Sequence, residues 1–345
     1  MMGRSDKILV TGGAGYIGAH AAVELVQQGY TPILVDNFSK SDRTLLSGLE
    51  KIIKAPVKFY EGDCTDRVFL KKVIASQPGM VAVMHFAAYK SVGESVAQPL
   101  KYYENNIGSL TTLLGIMEDE GIPNIIFSSS CTVYGQPDSM PVDESAPFKR
   151  AESPYGATKQ MCERILEDAV FSNKKLRVIS LRYFNPVGAH PSALIGELPL
   201  DVPGNLVPFI TQTAAGIRKK LVIFGNDYST PDGTCLRDFI HIVDLAQAHT
   251  VALTKMLDAG ELEPLEVFNL GTGEGVSVLQ LVKKFIKVTG VDLPYEIGPR
   301  RSGDVEKTYA NPSKVRRKLG WKTNFTIEQA LLHAWNWQKK ISHIQ

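Results

Sequence analysis

Tyr155 and Lys159 are the two side chains in this sequence best placed to move a proton between them and a ligand. They stand in Tyr155-Gly156-Ala157-Thr158-Lys159, so a helix would put both on one face. Ser153 can cap such a helix, and Pro154 pre-sets its first turn. A free tyrosine has a pKa of about 10 and is a poor base at neutral pH. A cation beside it favours the phenolate. A drop of roughly 3 units takes about 4 kcal/mol of differential stabilisation, and a phenol so tuned accepts a proton from a hydroxyl group. Tyr-x-x-x-Lys by itself is a common surface pattern, so the surrounding elements decide its meaning.

The amino-terminal stretch supplies such a context. Lys7–Val10 is a short apolar run that predicts a buried strand. Thr11-Gly12-Gly13-Ala14-Gly15-Tyr16-Ile17-Gly18 follows, then a helical pattern through Ala21, Val23, Leu25 and Val26, and a second strand, Pro32–Val35, ending at Asp36. Strand, glycine turn, helix, strand and acid in that order form a dinucleotide-binding unit. The glycines let the backbone approach a pyrophosphate at the helix amino terminus. Asp36 would accept hydrogen bonds from an adenosine ribose diol and repel a 2′-phosphate, which favours NAD over NADP. Arg43 is the residue that could weaken that preference.

Further strands are expected at Val57–Tyr60, Met80–Phe86, Asn124–Phe127 and Leu176–Arg182. Helical patterns lie between them at Asp66–Ala75, Pro99–Glu120 and Tyr155–Phe171. This alternation predicts an α/β chain with a doubly wound (Rossmann) parallel sheet, whose ligands gather beyond the carboxyl ends of the strands. Asp63, Phe86, Ala87, Lys90 and Ser128–Ser130 fall at such ends and are expected around one crevice with Tyr155. After Asn185 the texture changes: residues 186–235 are rich in Gly and Pro, with a short strand at Leu221–Phe224. A helix ending near Leu253, a strand at Glu266–Leu270 and a terminal helix at Ile327–Trp337 follow, with Trp335 and Trp337 as packing residues. Gly271–Gly275 reads either as a second phosphate loop or as a turn into a helix starting near Ser277, and helix-start signals favour the turn.

The 345 residues carry a net charge of +2, which argues against nucleic-acid or anionic-membrane partners. No apolar run reaches membrane-span length, and Met1–Lys7 lacks the apolar core of a signal peptide. Cys64, Cys131, Cys162 and Cys235 fit no metal-ligand spacing, so no metal is expected and reduced thiols in a cytoplasmic protein are. Asn324-Phe325-Thr326 then has no bearing as a glycosylation acceptor.

The glycine turn together with Tyr155 and Lys159 resembles the extended short-chain dehydrogenase/reductase family. The stretches 85–95, 127–135, 181–190 and Arg237-Asp238-Phe239-Ile240-His241 are similar to its nucleotide-sugar 4-epimerases, nearly end to end. The resemblance implies interconversion of UDP-galactose and UDP-glucose through a transient 4-keto sugar, in galactose metabolism, by a homodimer that keeps NAD tightly bound. It implies an NAD-binding domain at 1–185, rejoined by segments around 236–270, and a smaller mixed α/β domain, 186–345, that mainly binds the UDP-sugar. Tyr155 would be the base, Lys159 its cation and Ser130 a hydrogen-bond partner of the sugar hydroxyl. Gly12, Gly15, Tyr16, Ile17, Gly18, Asp36, Asn37, Phe38, Ser39, Asp63, Cys64, Phe86, Ala87, Lys90, Asn105 and Phe184 would complete the NAD site, with Ser130, Tyr155 and Lys159. Substrate contacts would come from Ser130, Tyr155, Tyr183, Asn185, Asn205, Leu206, Val222, Phe224, Arg237, Arg301, Asp304 and Thr308.

The sequence departs from that pattern in four places. Cys131 stands for a usual alanine, Tyr89 for a leucine, and Gly204-Asn205 for Asn-Asn. Thr308 is the small alternative at a position that is either bulky or small, and implies acceptance of N-acetylated sugars too. Two other functions are compatible with the fold. A nucleotide-sugar 4,6-dehydratase would need an acid just after the serine, where Cys131-Thr132 stand. An inactive NAD-binding scaffold would be expected to have lost Tyr155 or Lys159, and both are present.

Overall fold

The computed structural model describes residues 6–258, 262–301 and 304–344, so most of the segment weighed as a leader lies outside the described residues. Strands β1 (Lys7–Thr11), β2 (Thr31–Asp36), β3 (Lys58–Glu61), β4 (Met80–His85), β5 (Asn124–Ser130) and β6 (Arg177–Tyr183) alternate with helices α1 (Tyr16–Gln27), α2 (Arg43–Ile53), α3 (Arg67–Ala75), α4 (Val92–Ala97), α5 (Pro99–Asp119) and α6 (Pro154–Ser172). The chain continues through β7 (Asn185–Val187), α7 (Leu206–Ala214), β8 (Leu221–Phe224), β9 (Leu236–Arg237), β10 (Phe239–His241), α8 (Ile242–Leu257), β11 (Leu265–Leu270), β12 (Val276–Ser277), α9 (Val278–Thr289), β13 (Tyr295–Gly298), β14 (Lys307–Thr308), α10 (Ser313–Leu319) and α11 (Ile327–Ile341).

Seven strands form one sheet in the order β11-β6-β5-β4-β1-β2-β3, and the pairs β2–β3, β1–β2, β1–β4 and β4–β5 are parallel. This is the doubly wound sheet that the alternation predicts. The order reverses between β1 and β4, which makes the carboxyl ends of those strands the place where a ligand binds. Ile8, Leu9, Val10, Val83, Ile125 and Ile126 are wholly buried, as strands covered by helices on both faces require. The C-terminal part adds small sheets β10–β7, β12–β9–β14 and β13–β8.

By contacts the chain divides into two compact units. The first comprises Met1–Gly135, Phe148–Arg182 and Ala246–Phe268; the second comprises Gln136–Pro147, Tyr183–Leu245 and Asn269–Gln345. The core of the first gathers Leu70, Leu113, Ile116 and Phe127, among others. That of the second gathers Val207, Leu281, Phe285, Leu331 and Trp335. Trp335 lies edge-on to Phe285 at 6.1 Å, and the Trp337 indole donates to the Glu197 carbonyl at 2.9 Å, so both tryptophans pack as expected.

Several local outcomes differ from the sequence pattern. The helix expected to close near Leu253 runs on to Leu257, and the terminal helix runs on to Ile341. Helices α2, α4, α7 and α10 are further elements that the sequence pattern does not signal. The fifth strand continues through Ser128, Ser129 and Ser130, all buried, because each finds hydrogen bonds that offset a low strand propensity.

The glycine turn makes one demand on packing. A Cβ at Gly18 would lie 2.2 Å from the Gly12 carbonyl oxygen, a backbone atom with no room to move. Gly93, on α4, would meet nothing within 4 Å. Gly18→Ala is therefore expected to lower stability by about 1–3 kcal/mol, as overpacking does. Gly93→Ala should leave stability unchanged or raise it by about 0.5–1 kcal/mol. Urea midpoints at constant slope check the pair.

Candidate active site

β1 ends at Thr11 and the chain turns at Gly12, whose φ of +69° suits glycine. A Cβ there would stand 2.8 Å from the Ala87 backbone nitrogen. This close approach lays Phe86-Ala87, at the end of β4, against the turn. Gly15 is the cap of α1, and Tyr16, Ile17 and Gly18 form its first turn, where N–H groups point outward.

Asp36 ends β2 and is buried. Its Oδ2 accepts from the Ala14 amide at 3.1 Å, and its Oδ1 accepts from the Phe38 amide at 2.9 Å and the Ser41 hydroxyl at 2.7 Å. Three of about four lone-pair sites are used, and the carboxylate remains acceptor-only, as a ribose diol needs. The Asn37 amide donates to Asp63 at 2.9 Å, and the Ser39 amide donates to Asn37. Phe38 holds a φ of +54°, an uncommon setting for a bulky residue and one that marks working loops. Arg43 pairs with Glu61 and lies 4.5 Å over the Phe38 ring, so its charge is matched within this loop. Cys64 is buried, and burial pushes its thiol up. Asn105 donates to Asn106, which also accepts from the Tyr89 amide and donates to Thr158, tying the loop that carries Lys90 to α6.

On α6 the Ser153 hydroxyl caps the helix by accepting from the Gly156 amide at 3.2 Å. The Lys159 ammonium donates to the Ser128 carbonyl at 2.6 Å and lies 6.0 Å from the centre of the Tyr155 ring. Ser130 accepts from the Thr132 amide. Burial pushes the Tyr155 phenol up to about 12, against a downward pull from Ser130. Burial likewise pushes Lys159 down to about 8. The depressed tyrosine expected from the sequence is thus absent from the protein by itself. Desolvation dominates, and the Lys159 ammonium is turned to a backbone carbonyl.

The remaining expected residues lie in the second unit. Phe184 donates its amide to Leu270 after Tyr183, and Asn185 on β7 donates its amide to the Asp238 carbonyl at 3.0 Å. Asn205 precedes α7 with Leu206 at its first position, and its amide donates to Glu197 at 2.6 Å. Thr308 on β14 pairs directly with Arg237 on β9. Asp304 accepts from Arg301 at 2.7 Å and lies 3.9 Å from Arg237, which draws both guanidinium groups together. Val222 and Phe224 lie on β8; Phe224 is 42% exposed, with the Arg301 guanidinium 5.6 Å over its ring. Two arginines beside an open aromatic face suit a diphosphate joined to a flat base.

The glycine-rich 271–275 loop takes the form of the turn. Asp238, wholly buried, accepts from the Thr272 amide and hydroxyl, the Gly273 amide and the Ala310 amide. A carboxylate of this chain thus sits where a phosphate would, and α9 follows with Ser277 and Gln280 as a reciprocal cap.

The sequence pattern did not single out Asn106, His85, Glu163, Arg182 or Asp238. Glu163 and Asn106 left a signal: polar residues at core positions of a helical period. Glu163 receives a fork from Arg182, which also donates to the Tyr134 hydroxyl at 2.9 Å.

A glycine turn between β1 and α1, a 3-2-1-4-5-6 strand order and Tyr155 and Lys159 on α6 define an extended short-chain dehydrogenase/reductase. A sequence profile described as GDP-mannose 4,6 dehydratase matches residues 9–333. UDP-glucose 4-epimerase of Bacillus subtilis (strain 168) is 47% identical over 331 residues, covering 96% of each chain. The crystal structure of UDP-glucose 4-epimerase from Bifidobacterium longum in complex with NAD+ and UDP superposes with a TM-score of 0.92 at 44% identity, covering 97% of this chain and 98% of that one. The Stenotrophomonas maltophila enzyme, with bound NAD and formylated UDP-arabinopyranose, gives 0.94 at 44% identity, covering 98% and 99%. The chain belongs to this dehydratase-like family and, within it, to the UDP-glucose 4-epimerases.

His85 gives the site a pH signature. Its ring is buried between Thr11, 2.7 Å from Nδ1, and Ser109, and burial pushes its pKa down to about 3, with Lys159 adding to the shift. The unfolded imidazole takes up a proton near 6.5, the folded one not until about 3. Stability is therefore unaffected above about pH 6.5 and falls as pH is lowered from there toward 3. His85→Gln should remove about one proton from that slope. Urea midpoints of both proteins between pH 7 and 4 would show it; parallel slopes would contradict it.

Proposed function

We propose that this protein interconverts UDP-galactose and UDP-glucose at C4 of the sugar, with NAD retained through the cycle. The observation that carries this is the Ser130–Tyr155–Lys159 arrangement at the ends of β5 and α6, beside a glycine turn and Asp36 suited to a dinucleotide. The glycine turn would hold the pyrophosphate of NAD, and Asp36 the adenosine ribose. Phe38, Ser39, Asp63, Cys64, Phe86, Ala87, Lys90, Asn105 and Phe184 would complete the coenzyme contacts. When bound, NAD supplies a reversible hydride acceptor and, in its oxidised ring, a positive charge.

The chain's own residues then handle a proton. Tyr155 accepts it from the 4-hydroxyl and returns it after the 4-keto sugar has turned over. Ser130 bridges the sugar oxygen and the phenol. Lys159, the nearby cation, favours the phenolate. Arg237, Arg301 and Asn205 anchor the diphosphate, with Val222 and Phe224 against the base. Remote binding energy of this kind holds the nucleotide while leaving the sugar free to rotate. Asp304 now engages Arg301, so an entering diphosphate would compete with that carboxylate. A 4,6-dehydratase is not favoured, because Cys131 and Thr132 offer no carboxyl group beside Ser130.

The chain also has features suited to a cytoplasmic homodimer. No described helix is long and apolar enough to cross a membrane. Leu100, Met161 and Phe171 lie exposed on α5 and α6, two helices that pack together. A residue as small as Thr308 would suit an N-acetyl group, which would extend the substrates to UDP-N-acetylgalactosamine.

Protein supplied with NAD and UDP-galactose is expected to form UDP-glucose. Absence of turnover with both saturating, or a dehydrated keto sugar as product, would overturn the assignment. Tyr155→Phe should lower kcat by about 10²–10⁴-fold, the scale of a lost acid–base group, while UDP still binds in calorimetry. For the acetylated substrate, Thr308→Tyr should depress kcat/KM selectively; equal loss on both sugars would remove Thr308 from specificity.

A further inference from the structure

Glu163 stands one helical turn beyond Lys159 on α6, and the proposed proton transfer leaves it without a part. Both are buried. Its carboxylate is fixed from two strands. Arg182 on β6 donates through Nε to Oε1 at 2.9 Å and through Nη2 to Oε2 at 2.6 Å. The Ser129 hydroxyl, on β5, donates to Oε1 as well. Arg182 is itself held by the Tyr134 hydroxyl and lies within 4.9 Å of the Tyr134 and Phe148 ring centres.

Three consecutive residues of β5 thus act on α6 or on its reacting phenol. The Ser128 carbonyl takes the Lys159 ammonium, the Ser129 hydroxyl takes Glu163, and Ser130 pulls the Tyr155 phenol down. We propose that Glu163 is a positioning residue for the reacting pair: it locks the roll of α6 against β5 and β6, and it is the buried carboxylate one helical turn from the Lys159 ammonium. The inference rests on the proposed epimerase reading, since it assigns Glu163 a part in that reaction.

The groups around Lys159 support one anion in that role. Tyr155, pushed up to about 12, is neutral, and so is His85, pushed down to about 3. Of the groups that favour the ammonium, Cys162 comes first when ionised and Glu163 second, yet burial pushes the Cys162 thiol up to about 11, so it is uncharged where Lys159 titrates. Glu163 is left, with Arg182 as its counter-ion. Glu163→Gln would place two cations, Lys159 and Arg182, in one buried region with no carboxylate between them.

The test compares wild type and Glu163→Gln as full-length protein. Lysine labelled with ¹³C at Cε, assigned through Lys159→Arg, reports the Lys159 midpoint by NMR without any turnover. Loss of a neighbouring charge of opposite sign should lower that midpoint by about one unit. The alkaline limb of kcat against pH should move down with it, while KM for UDP-galactose stays within about twofold and kcat at its optimum falls about tenfold, the scale of a small misplacement. An unmoved midpoint with an unmoved pH profile would overturn the proposal.

If Glu163→Gln does not fold, the double variant Glu163→Met with Arg182→Met serves, since apolar replacement of a whole buried pair is commonly tolerated. It should fold, titrate Lys159 lower and lose kcat with KM retained; wild-type kcat and midpoint would reduce Glu163 to packing. Activity of the wild type separates the two levels: if it forms no UDP-glucose, the epimerase reading fails, whereas an active wild type beside an unaltered variant fails this inference alone.

Discussion

The hydrogen bond from the Lys159 ammonium to the Ser128 carbonyl, 2.6 Å long and sealed from water, fastens the helix that bears Tyr155 to the strand end that bears Ser130. Burial makes that contact strong, because a donor and an acceptor far from solvent interact in a low dielectric. Burial also sets the protonation state of everything nearby. It holds the phenol neutral in the protein alone, weakens the lysine's hold on its proton, and keeps His85 and the Cys162 thiol uncharged. The ion pair between Glu163, on the same helix, and Arg182 is a buried compensated charge, and three elements, β5, β6 and α6, meet on it.

The two glycine-rich loops make a useful contrast. In the first, after β1, the glycines admit the Phe86-Ala87 backbone on one side and leave the start of α1 facing outward. In the second, Gly271–Gly275, the Thr272 and Gly273 amides are taken by Asp238, and a Cβ at Gly271 would stand 2.3 Å from that carboxylate. Both loops spend amides on their own chain, the first on Val35, Asp36 and Gly12 and the second on Asp238; what differs is that the first runs straight into the opening turn of a long helix. Asp238 in turn joins Asn185 and Thr308 through its backbone and the Ala310 amide through its carboxylate, so Arg237, one residue before it, stands on a rigid base.

Much of this was legible. The buried strands showed as apolar runs because helices cover both faces of the sheet, and the glycine turn, Asp36, Ser153 and Pro154 act through local backbone geometry that spacing reveals. What escaped depends on distant partners. Nothing in Ser128-Ser129-Ser130 says that the strand continues, because the groups that satisfy it, Lys159 and Glu163, lie more than thirty residues away. The direction of the Tyr155 shift in the protein alone is hidden for a related reason: spacing along a helix tells which groups are neighbours but not how much water they lose. The short β9, β12 and β14 have too few residues for any period, and tertiary pairing alone forms them.

The carboxylate in the second glycine loop bears on how related chains are compared. An aspartate one position after the arginine of β9 marks a loop whose anion seat is already taken from within, so its glycines are no sign of a second nucleotide. A chain with the same glycines and no acid at that position would have an unfilled nest of amides, open to recruitment for a new ligand as sequences diverge.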